Sequence, residues 1–344
     1  MKYSEQINYA FEAKKPFVAY KNPNENKVHV IIQKNDELIE FDDFNSSGYV
    51  FAPFNSDEKA YLIQPDLYFT DEVKSFEFDS EFIENKEQEV EKSTHINIVK
   101  NAIKTIQDTE VSKIVVSRKE EVSVSDFNLL EVYNKLMSKY PNAYVYVWYH
   151  PKVGLWMGAT PETLLKVKDG HFSTMALAGT QAFKGNLNPV WGAKELEEQQ
   201  MVADFIKQHL ENVVESLELS EVETVKAGSL LHLKTNITGK IHQQKDIASL
   251  VKLLHPTPAV CGLPKELSKM FILENENYNR SFYSGYLGNI NMNNETSFFV
   301  NLRCFQFINN TIVLYVGGGI TAESIAEKEW EETVAKSQII KAVL

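Results

Sequence analysis

Short apolar segments separated by turn signals are the feature of this sequence that most constrains its fold. Near the N-terminus, Asn-Pro-Asn and Asn-Ser-Ser sequences divide segments at 17–20, 27–33, 48–52 and 60–64. After residue 93, further strands alternate with helices whose apolar residues recur at a spacing of three or four. Because strands outnumber helices and tight turns join many of them, the sequence predicts an α+β fold, a large mostly antiparallel β-sheet sandwich flanked by helices.

The pattern of the chain changes near residue 92, and we expect two parts within one fold. Residues 1–92 form a β-rich N-terminal part, and residues 93–344 form the larger region that carries the functional residues. Between the last short strand and the first long helix, residues 71–91 contain many Asp and Glu and few apolar residues. This composition predicts a solvated connector.

The balance of charges excludes several kinds of partner. The 344 residues include 35 Lys and Arg against 47 Asp and Glu, a formal net charge of −12. Such a chain attracts neither a nucleic acid nor an anionic membrane surface, so an anionic substrate must be held by a few placed cations or by a metal ion. Cys261 and Cys304 are too few for a cluster of thiolate metal ligands, and they fit a reducing compartment.

The sequence has no segment typical of secretion or membrane insertion. Its N-terminus lacks the apolar core of a signal peptide, and its longest apolar stretches are far shorter than the ~20 residues that cross a bilayer. We therefore expect a cytoplasmic protein without a membrane or nucleic-acid partner. A monomer is the working hypothesis for its oligomeric state.

A long helix predicted from Ala193 to Leu217 carries two carboxylates on its apolar side. Stepping back from Val202 by four and then by three residues reaches Glu198 and Glu195. Both side chains therefore face the interior at the start of the helix, where a buried carboxylate needs a positive partner. The alternative is that acidic residues at this position only complement the helix dipole.

The closing helix, predicted at 322–344, repeats this arrangement with Glu329 and Glu332. If the two helices meet, their carboxylates form an oxygen-only site of the kind that suits Mg²⁺. Lys336 lies one turn after Glu332, so an ordinary helix salt bridge worth ~0.3–0.5 kcal/mol is the alternative. Both interpretations stay open at this point.

Glycines and two basic residues mark further candidate positions. Three consecutive glycines at 317–319 are predicted to end a strand and lead to the closing helix, where their amides could approach an anion closely. A tight connection without a ligand is the alternative. Lys113 and Arg303 lie in apolar strand sequences, which is usual at a strand end or on a solvated face. If they are buried, each needs an anionic partner, and burial lowers the pKa of a lysine towards that of a usable base.

Nine short motifs in this order resemble those of the chorismate-utilising enzymes. This family includes the isochorismate, salicylate, anthranilate and aminodeoxychorismate synthases, and the match extends from about residue 93 to the C-terminus. No single motif is decisive, but nine in register identify the chain as a member of the family. The motifs are 113–118 (KIVVSR), 158–165 (GATPETLL), 176–180 (ALAGT), 194–198 (KELEE), 231–235 (LHLKT), 255–264 (HPTPAVCGLP), 280–285 (RSFYSG), 317–320 (GGGI) and 329–333 (EWEET).

The resemblance implies a Mg²⁺-dependent enzyme whose substrate is chorismate, a cyclohexadiene with two carboxylates, and makes residues 93–344 the chorismate-binding catalytic region. Glu198 and Glu332 match the family's metal ligands, and Glu195 and Glu329 are the neighbouring carboxylates. The metal ion would bind the ring carboxylate and offset the negative charge of the site. The residues that match substrate-binding positions are Gly179, Thr180, His232, Ala259, Tyr283, Arg303, Gly318, Gly319 and Lys336.

Lys113 matches the general base of the isochorismate reaction, and Glu162 matches the general acid. Water adds at C2 of the ring while the C4 hydroxyl leaves, so the lysine must be neutral to take a proton and the glutamate must be protonated to give one. These protonation states are the reverse of those in free solution at pH 7. Burial must therefore shift both groups.

Three features favour the isochorismate synthases within the family. The position at which aminodeoxychorismate synthases carry a nucleophilic lysine is Ala178, so water or ammonia must attack directly. Ala259 also resembles the isochorismate synthases, whereas salicylate synthases tend to have Thr there. The feedback elements and the long N-terminal region of anthranilate synthases are not visible in this sequence.

Two other functions stay open within the family. One is a salicylate synthase, and the other is the chorismate-binding subunit of an aminating synthase that needs a glutamine amidotransferase. The product could enter either menaquinone or siderophore biosynthesis. The sequence departs from the family's usual residues at Gln181, Leu196, Gln199 and Asn279, none of which is a proposed base, acid or metal ligand.

Overall fold

The computed structural model describes residues 2–73, 89–228, 230–243 and 246–344. Within the predicted acidic connector, residues 71 and 72 end a strand and residues 89–91 begin a helix. The remainder of that prediction, at 74–88, lies outside the described residues. The division of the chain at residue 92 stays a prediction.

Along the described chain, single helices separate runs of one to six strands. The helices are α1 (Tyr3–Glu12), α2 (Glu89–Asp108), α3 (Leu129–Lys139), α4 (Ala193–Leu210), α5 (Asp246–Leu254), α6 (Lys265–Asn275) and α7 (Ala326–Lys341). The strands are β1 (Phe17–Lys21), β2 (Lys27–Ile32), β3 (Ile39–Glu40), β4 (Gly48–Ala52), β5 (Tyr61–Ile63), β6 (Leu67–Glu72), β7 (Lys113–Ser123), β8 (Tyr144–His150), β9 (Gly154–Thr160), β10 (Thr163–Lys168), β11 (His171–Ala182), β12 (Ser216–Leu219), β13 (Glu223–Ala227), β14 (Leu230–Lys240), β15 (Gly262–Leu263), β16 (Tyr286–Met292), β17 (Glu295–Val300), β18 (Cys304–Ile308) and β19 (Thr311–Ile320).

The strands form two large sheets. The nine-stranded sheet has the order β15-β7-β19-β18-β9-β8-β1-β2-β6. The ten-stranded sheet has the order β12-β14-β11-β10-β17-β16-β4-β5-β3, with β13 also paired to β14. The strand pairs of the described chain are antiparallel. The prediction of an α+β fold with large antiparallel sheets is confirmed.

A layer of aromatic side chains joins the two sheets. Phe51 of β4 lies 4.7 Å from the ring of Trp148 on β8, and Tyr144 of β8 stacks on Phe299 of β17 at 3.9 Å between ring centroids. Helices α1, α3 and α7 pack on the other face of the nine-stranded sheet, and α4 and α5 on the other face of the ten-stranded sheet. Burial of these apolar faces is the main source of stability.

The helix predicted from Ala193 to Leu217 ends earlier, at Leu210, and that expected end was wrong. The chain turns, and residues 216–219 form β12, which pairs with β14. The apolar pattern continues past the turn because Val214 packs into the same core as the helix. Two adjacent β-branched residues, Val213 and Val214, favour the turn and strand over a further helical turn.

The strand predicted across Arg303, from Ser297 to Phe307, is two strands in different sheets. β17 ends at Val300 and β18 begins at Cys304, and Arg303 between them has a left-handed φ of 49°. Asn301 holds this crossing, because its Nδ2 donates to Phe282 O at 2.9 Å and its Oδ1 accepts from Tyr146 Oη at 2.7 Å. Arg303 therefore lies between the two strands, with its carbonyl accepting from Ala159 N of β9 at 3.1 Å.

The strand predicted to end before the glycines continues through them. Gly317, Gly318 and Gly319 lie in β19 and pair with residues 115–117 of β7, and α7 begins only at Ala326. The glycines therefore lie in a strand and not in the connection to the closing helix, whereas their close approach to an anion stays a prediction. Helix α1 was not predicted at all. Of the helices in the described ranges, none is long and apolar enough to cross a membrane.

Candidate active site

One cavity collects residues that are far apart in the sequence. It lies where β7 and β19 of one sheet approach β11 and β14 of the other, and α4 and α7 contribute further side chains. Twelve of the fifteen predicted site residues line it, and Lys113, Glu195 and Glu329 do not. The twelve are Glu162, Gly179, Thr180, Glu198, His232, Ala259, Tyr283, Arg303, Gly318, Gly319, Glu332 and Lys336.

Glu162 is a buried carboxyl group between β9 and β10. Its Oε1 accepts a hydrogen bond from Thr257 Oγ1 at 3.3 Å. Burial raises its pKa to about 7, although the Thr257 hydrogen bond and the positive charges of Lys113 and Arg303 act in the opposite direction. A substantial fraction of Glu162 is therefore protonated near neutral pH and can donate a proton.

Lys113, the first residue of β7, is fully buried behind the cavity wall. Its Nζ lies 2.8 Å from Glu198 Oε1 but makes no hydrogen bond with the described residues, so the contact is an ion pair. Burial would raise the pKa of Glu198, but the positive charges of Lys113, Lys336 and Lys194 outweigh it and lower that pKa. Glu198 is therefore a carboxylate at neutral pH.

The lack of a side chain at Gly319 makes room for this ion pair. A Cβ at that position would lie 2.7 Å from Glu198 Oε1 and 2.9 Å from Lys113 Cε. At Gly318, a Cβ would lie 3.5 Å from oxygens of both Glu329 and Glu332. The carboxylates of α4 and α7 therefore meet at consecutive glycines of β19, as the helix patterns suggested.

Each of the two α7 carboxylates is paired with a lysine. Lys194 Nζ donates to Glu329 Oε1 at 2.7 Å, and Lys336 Nζ lies 2.7 Å from Glu332 Oε1. Lys336 Nζ also donates to Gly317 O at 2.9 Å. Burial raises the pKa of Glu329, with Lys194 acting against it and Glu332 adding to it. The expected Glu332–Lys336 salt bridge is present beside the cavity.

The carboxylate oxygens of α4 and α7 are of the chemical type that binds Mg²⁺. Glu198, Glu329 and Glu332 supply only oxygen, which Mg²⁺ prefers, and Glu329 Oε2 is buried without a hydrogen-bond partner among the described residues. In the ranges described, however, no three His, Cys, Asp or Glu side chains are close enough to hold a metal ion as they stand. The lysine partners hold these carboxylates instead.

His232 and Arg303 form a neutral–cationic pair on the cavity wall. His232 Nδ1 lies 3.0 Å from Gly179 O, and its Nε2 lies 2.7 Å from Arg303 Nη2. Burial, with the nearby charges of Arg303 and Lys336, lowers the pKa of His232 to about 3. The neutral ring therefore donates from Nδ1 to Gly179 O and accepts from Arg303 at Nε2.

Arg303 carries a positive charge that no carboxylate within the described chain neutralises through a salt bridge. Besides His232, its guanidinium donates to Ala227 O at 3.2 Å. Burial lowers the pKa of Arg303 to about 10, opposed by Tyr140 and Glu162, so the group stays cationic at neutral pH. A half-buried cation facing a cavity favours an anionic ligand.

Glu195 lies outside the cavity. A Cβ added to Gly192, the residue before α4, would lie 2.5 Å from Glu195 Oε2. The carboxylate therefore folds back over the first turn of α4, a position that fits the dipole alternative. The Cβ and carbonyl of Glu195 also border Gly179.

Two site contacts were missed in the sequence. Thr257 donates to Glu162, and Lys194 pairs with Glu329 across 135 positions. Both residues belong to quoted motifs, HPTPAVCGLP and KELEE, which could have drawn attention to them. Their partners depend on tertiary contacts that no local pattern encodes.

Comparison with known proteins identifies the class. Residues 62–344 match the family model described as chorismate binding enzyme. Because the match covers most of the chain, this protein belongs to the chorismate-binding enzyme family.

Similar proteins include several isochorismate synthases. The chain is 27% identical to isochorismate synthase MenF of Escherichia coli (strain K12) over 74% of its own length and 61% of that protein, less than two thirds of it. It is 29% identical to isochorismate synthase DhbC of Bacillus subtilis (strain 168) over 83% of its own length and 77% of that protein. In structure it resembles DhbC of Bacillus anthracis, assigned as a 2,3-dihydroxybenzoate-specific isochorismate synthase, with a TM-score of 0.82, 22% identity and 98% coverage of both chains.

Proposed function

We propose that this protein is an isochorismate synthase, an isomerase that converts chorismate reversibly to isochorismate with Mg²⁺. The observation that carries the proposal is Glu162, a buried carboxyl in the same cavity as the unneutralised cation Arg303. One group keeps a proton near neutral pH, and the other favours an anion. A carboxylate substrate that must lose a hydroxyl group requires both.

The cations of the cavity are suited to the two carboxylates of chorismate. Arg303 has no acidic partner in a salt bridge within the described ranges, and Lys336 reaches the same cavity from α7. The protein as a whole has a net charge of −12, so local cations are needed to hold a dianion. Thr180 and Tyr283 complete the proposed binding surface with Gly179 and the glycines of β19.

In the proposed reaction, water adds at C2 and the C4 hydroxyl leaves. In the structure Lys113 is ion-paired with Glu198. If Glu198 held the metal ion instead, Lys113 would lose this counter-charge, and as a neutral amine it would take a proton from the water as the new C2–O bond forms. Glu162 gives its proton to the departing C4 hydroxyl, which leaves as water. The bonds made and broken are similar, so the reaction should be reversible.

The metal site is proposed at the carboxylates of α4 and α7. Glu198 and Glu332 would hold Mg²⁺, with Glu195 and Glu329 as neighbouring carboxylates. When bound, the ion supplies positive charge that neutralises a substrate carboxylate. The protein's own contribution is to bring Glu198, Glu329 and Glu332 to Gly318 and Gly319.

Ala178 supports direct attack by water rather than a covalent route. It lines the cavity beside Gly179 and offers no amine that could attack the ring. Ala259, also in the wall, favours isochorismate over salicylate as the product. A salicylate synthase and an aminating subunit are the alternatives that experiment must exclude.

We also propose that the enzyme works in the cytoplasm as a monomer, without a nucleic-acid or membrane partner. Cys261 and Cys304 are buried and free, which fits a reducing compartment. Light scattering during gel filtration should give one species near 39.3 kDa.

Product analysis tests the activity. Purified protein is incubated with chorismate and Mg²⁺, without ammonia, and the products are separated by chromatography. Isochorismate alone supports the proposal. Stoichiometric pyruvate with salicylate identifies a salicylate synthase, and activity only with ammonia or an amidotransferase identifies an aminating subunit.

A further inference from the structure

Behind the cavity, Arg280 and Glu276 form a fully buried ion pair. Arg280 Nε donates to Glu276 Oε2 at 2.7 Å, and Arg280 Nη2 to Glu276 Oε1 at 2.5 Å. Each side chain is only 2% exposed. This bidentate geometry fixes the orientation of both groups.

This pair completes the hydrogen bonding of β7, the strand that begins with Lys113. One edge of β7 pairs with β19, but the other pairs with β15 only at Lys113 and Ile114. On that second edge, Val115 O accepts from Arg280 Nη2 at 2.7 Å, and Ser117 N donates to Glu276 Oε1 at 2.7 Å. Buried backbone groups need such partners, so these side chains take the place of a neighbouring strand.

The same guanidinium also reaches a second wall of the cavity. Arg280 Nη1 donates to Val260 O at 2.9 Å, and Val260 follows Ala259 in that wall. Val115 lines the cavity as well. One side chain therefore connects the Lys113 strand to the wall that contains Ala259.

Contacts with aromatic rings restrict Arg280 further. Its Cζ lies 4.5 Å from the ring centroid of Phe54 and 5.9 Å from that of Tyr283. Neither Arg280 nor Glu276 lines the cavity, so neither contacts a ligand bound there. Any effect of the pair on turnover must act through the groups that it holds.

We propose that Arg280 and Glu276 are positioning residues, which together hold the Lys113 strand and the Ala259 wall at the separation that turnover requires. The kinetic part of this inference rests on the proposed isochorismate synthase activity. The structural part, which is order in β7, can be measured without any substrate.

The first arm of the test measures amide hydrogen exchange in residues 113–118. The variants are Arg280→Lys, which keeps the charge but not the three-way contact, and Glu276→Gln. Ser117→Ala is milder, since it keeps the backbone contact with Glu276 and removes only the hydroxyl, which lies 2.9 Å from Glu276 Oε1 and 2.6 Å from Tyr278 Oη. We expect exchange in this segment to be at least about tenfold faster in the first two variants.

The second arm measures steady-state kinetics with chorismate. We expect kcat to fall about 30–300-fold in Arg280→Lys and about 3–10-fold in Ser117→Ala. KM should stay within about threefold, because Arg303 and Lys336 are untouched. A merely structural role predicts instead fewer folded molecules with normal kcat per folded molecule.

Leu136→Ala is the matched control. Leu136 is fully buried in α3, which packs mainly on β8 and β9, and it does not line the cavity, so the variant loses stability without altering the contacts of residues 113–118 with Arg280 and Glu276. It should keep its kcat and its exchange at 113–118.

The outcomes separate the two proposals. If the wild type makes no isochorismate, the proposed function fails, and the exchange arm alone decides whether the pair orders β7. Unchanged exchange in Arg280→Lys and Glu276→Gln overturns the inference. A kcat of Arg280→Lys within about threefold of that of an active wild type also overturns it. So does a kcat loss in Leu136→Ala equal to that in Arg280→Lys. Should Arg280→Lys not fold, Ser117→Ala decides by the same two measurements.

Discussion

Lys113 Nζ lies 2.8 Å from Glu198 Oε1, so the proposed base and a proposed metal ligand form one ion pair. Lys113 is fully buried, whereas Glu198 is 16% exposed and borders the cavity. Any change that removes the Glu198 carboxylate therefore leaves a buried ammonium without its counter-charge.

This relationship predicts a large stability loss for Glu198→Gln. An unpaired buried charge costs about 3–5 kcal/mol, so the free energy of unfolding should fall by roughly that amount. The double variant Lys113→Met/Glu198→Gln should recover most of the loss, because the two residues are coupled. Urea unfolding measures all three proteins.

Glu332→Gln is the control for this cycle. Its partner Lys336 is 22% exposed and Glu332 is 30% exposed, so solvent screens the pair and the loss should be under about 1 kcal/mol. Equal losses in Glu198→Gln and Glu332→Gln would show that Lys113 does not depend on Glu198.

Glu162 predicts the pH dependence of turnover. Its raised pKa of about 7 means that the acid form, which donates the proton, decreases as the pH rises through 7. The value of kcat/KM for isochorismate formation should therefore not rise above pH 7, and it should fall by about tenfold per pH unit wherever the base Lys113 is already neutral. Rates measured from pH 5.5 to 9 test this limb, and a value that keeps rising to pH 9 would be incompatible with Glu162 as the acid.

His232→Ala should weaken substrate binding through Arg303. The substitution removes the acceptor that orients the guanidinium, and a hydrogen bond to a charged group contributes about 1.5–3 kcal/mol. KM for chorismate should rise about 10–100-fold, with a smaller change in kcat. His171→Ala, at an exposed histidine at the start of β11, is the control and should behave as the wild type. An unchanged KM in His232→Ala would contradict the claim that His232 orients the Arg303 guanidinium for substrate binding.

Two neighbouring glycines provide a steric test of the site. A methyl group at position 319 would lie 2.7 Å from Glu198 Oε1, whereas at position 318 the nearest atoms are 3.5 Å away. We therefore expect Gly319→Ala to lower kcat by at least about 100-fold and Gly318→Ala by less than about tenfold. A reversed order would mean that the Lys113–Glu198 pair does not occupy this position during turnover.

Patterns of local sequence predicted the layers of the fold but not every boundary. The turn signals near the N-terminus gave antiparallel strands, since tight turns can join only antiparallel neighbours. Apolar periodicity extended α4 to Leu217, because a pattern that fits a helix also fits a turn and strand packed on the same core. The break at Arg303 was missed, since the residues on both sides favour strands and only tertiary contacts of Asn301 separate them.

The candidate site was predictable where helical spacing or a family motif identifies the functional residue. The positions of Glu198 and Glu332 on inward faces came from helical periodicity, and family motifs supplied Glu162 and Lys113. The lysine partners of the carboxylates could not be predicted, because Lys194 and Glu329 are 135 positions apart. The Arg280–Glu276 pair shows the same limit, since its partners Val115 and Ser117 lie on a distant strand.

The most direct test of the central claim is isotope labelling during turnover. Chorismate is converted with Mg²⁺ in ¹⁸O-labelled water, and isochorismate is isolated at low conversion. Its ¹⁸O content is measured by mass spectrometry. The account predicts one ¹⁸O atom per product molecule, at C2, and no product from Lys113→Ala or Glu162→Gln. Unlabelled isochorismate, or a product that has lost pyruvate, would contradict it.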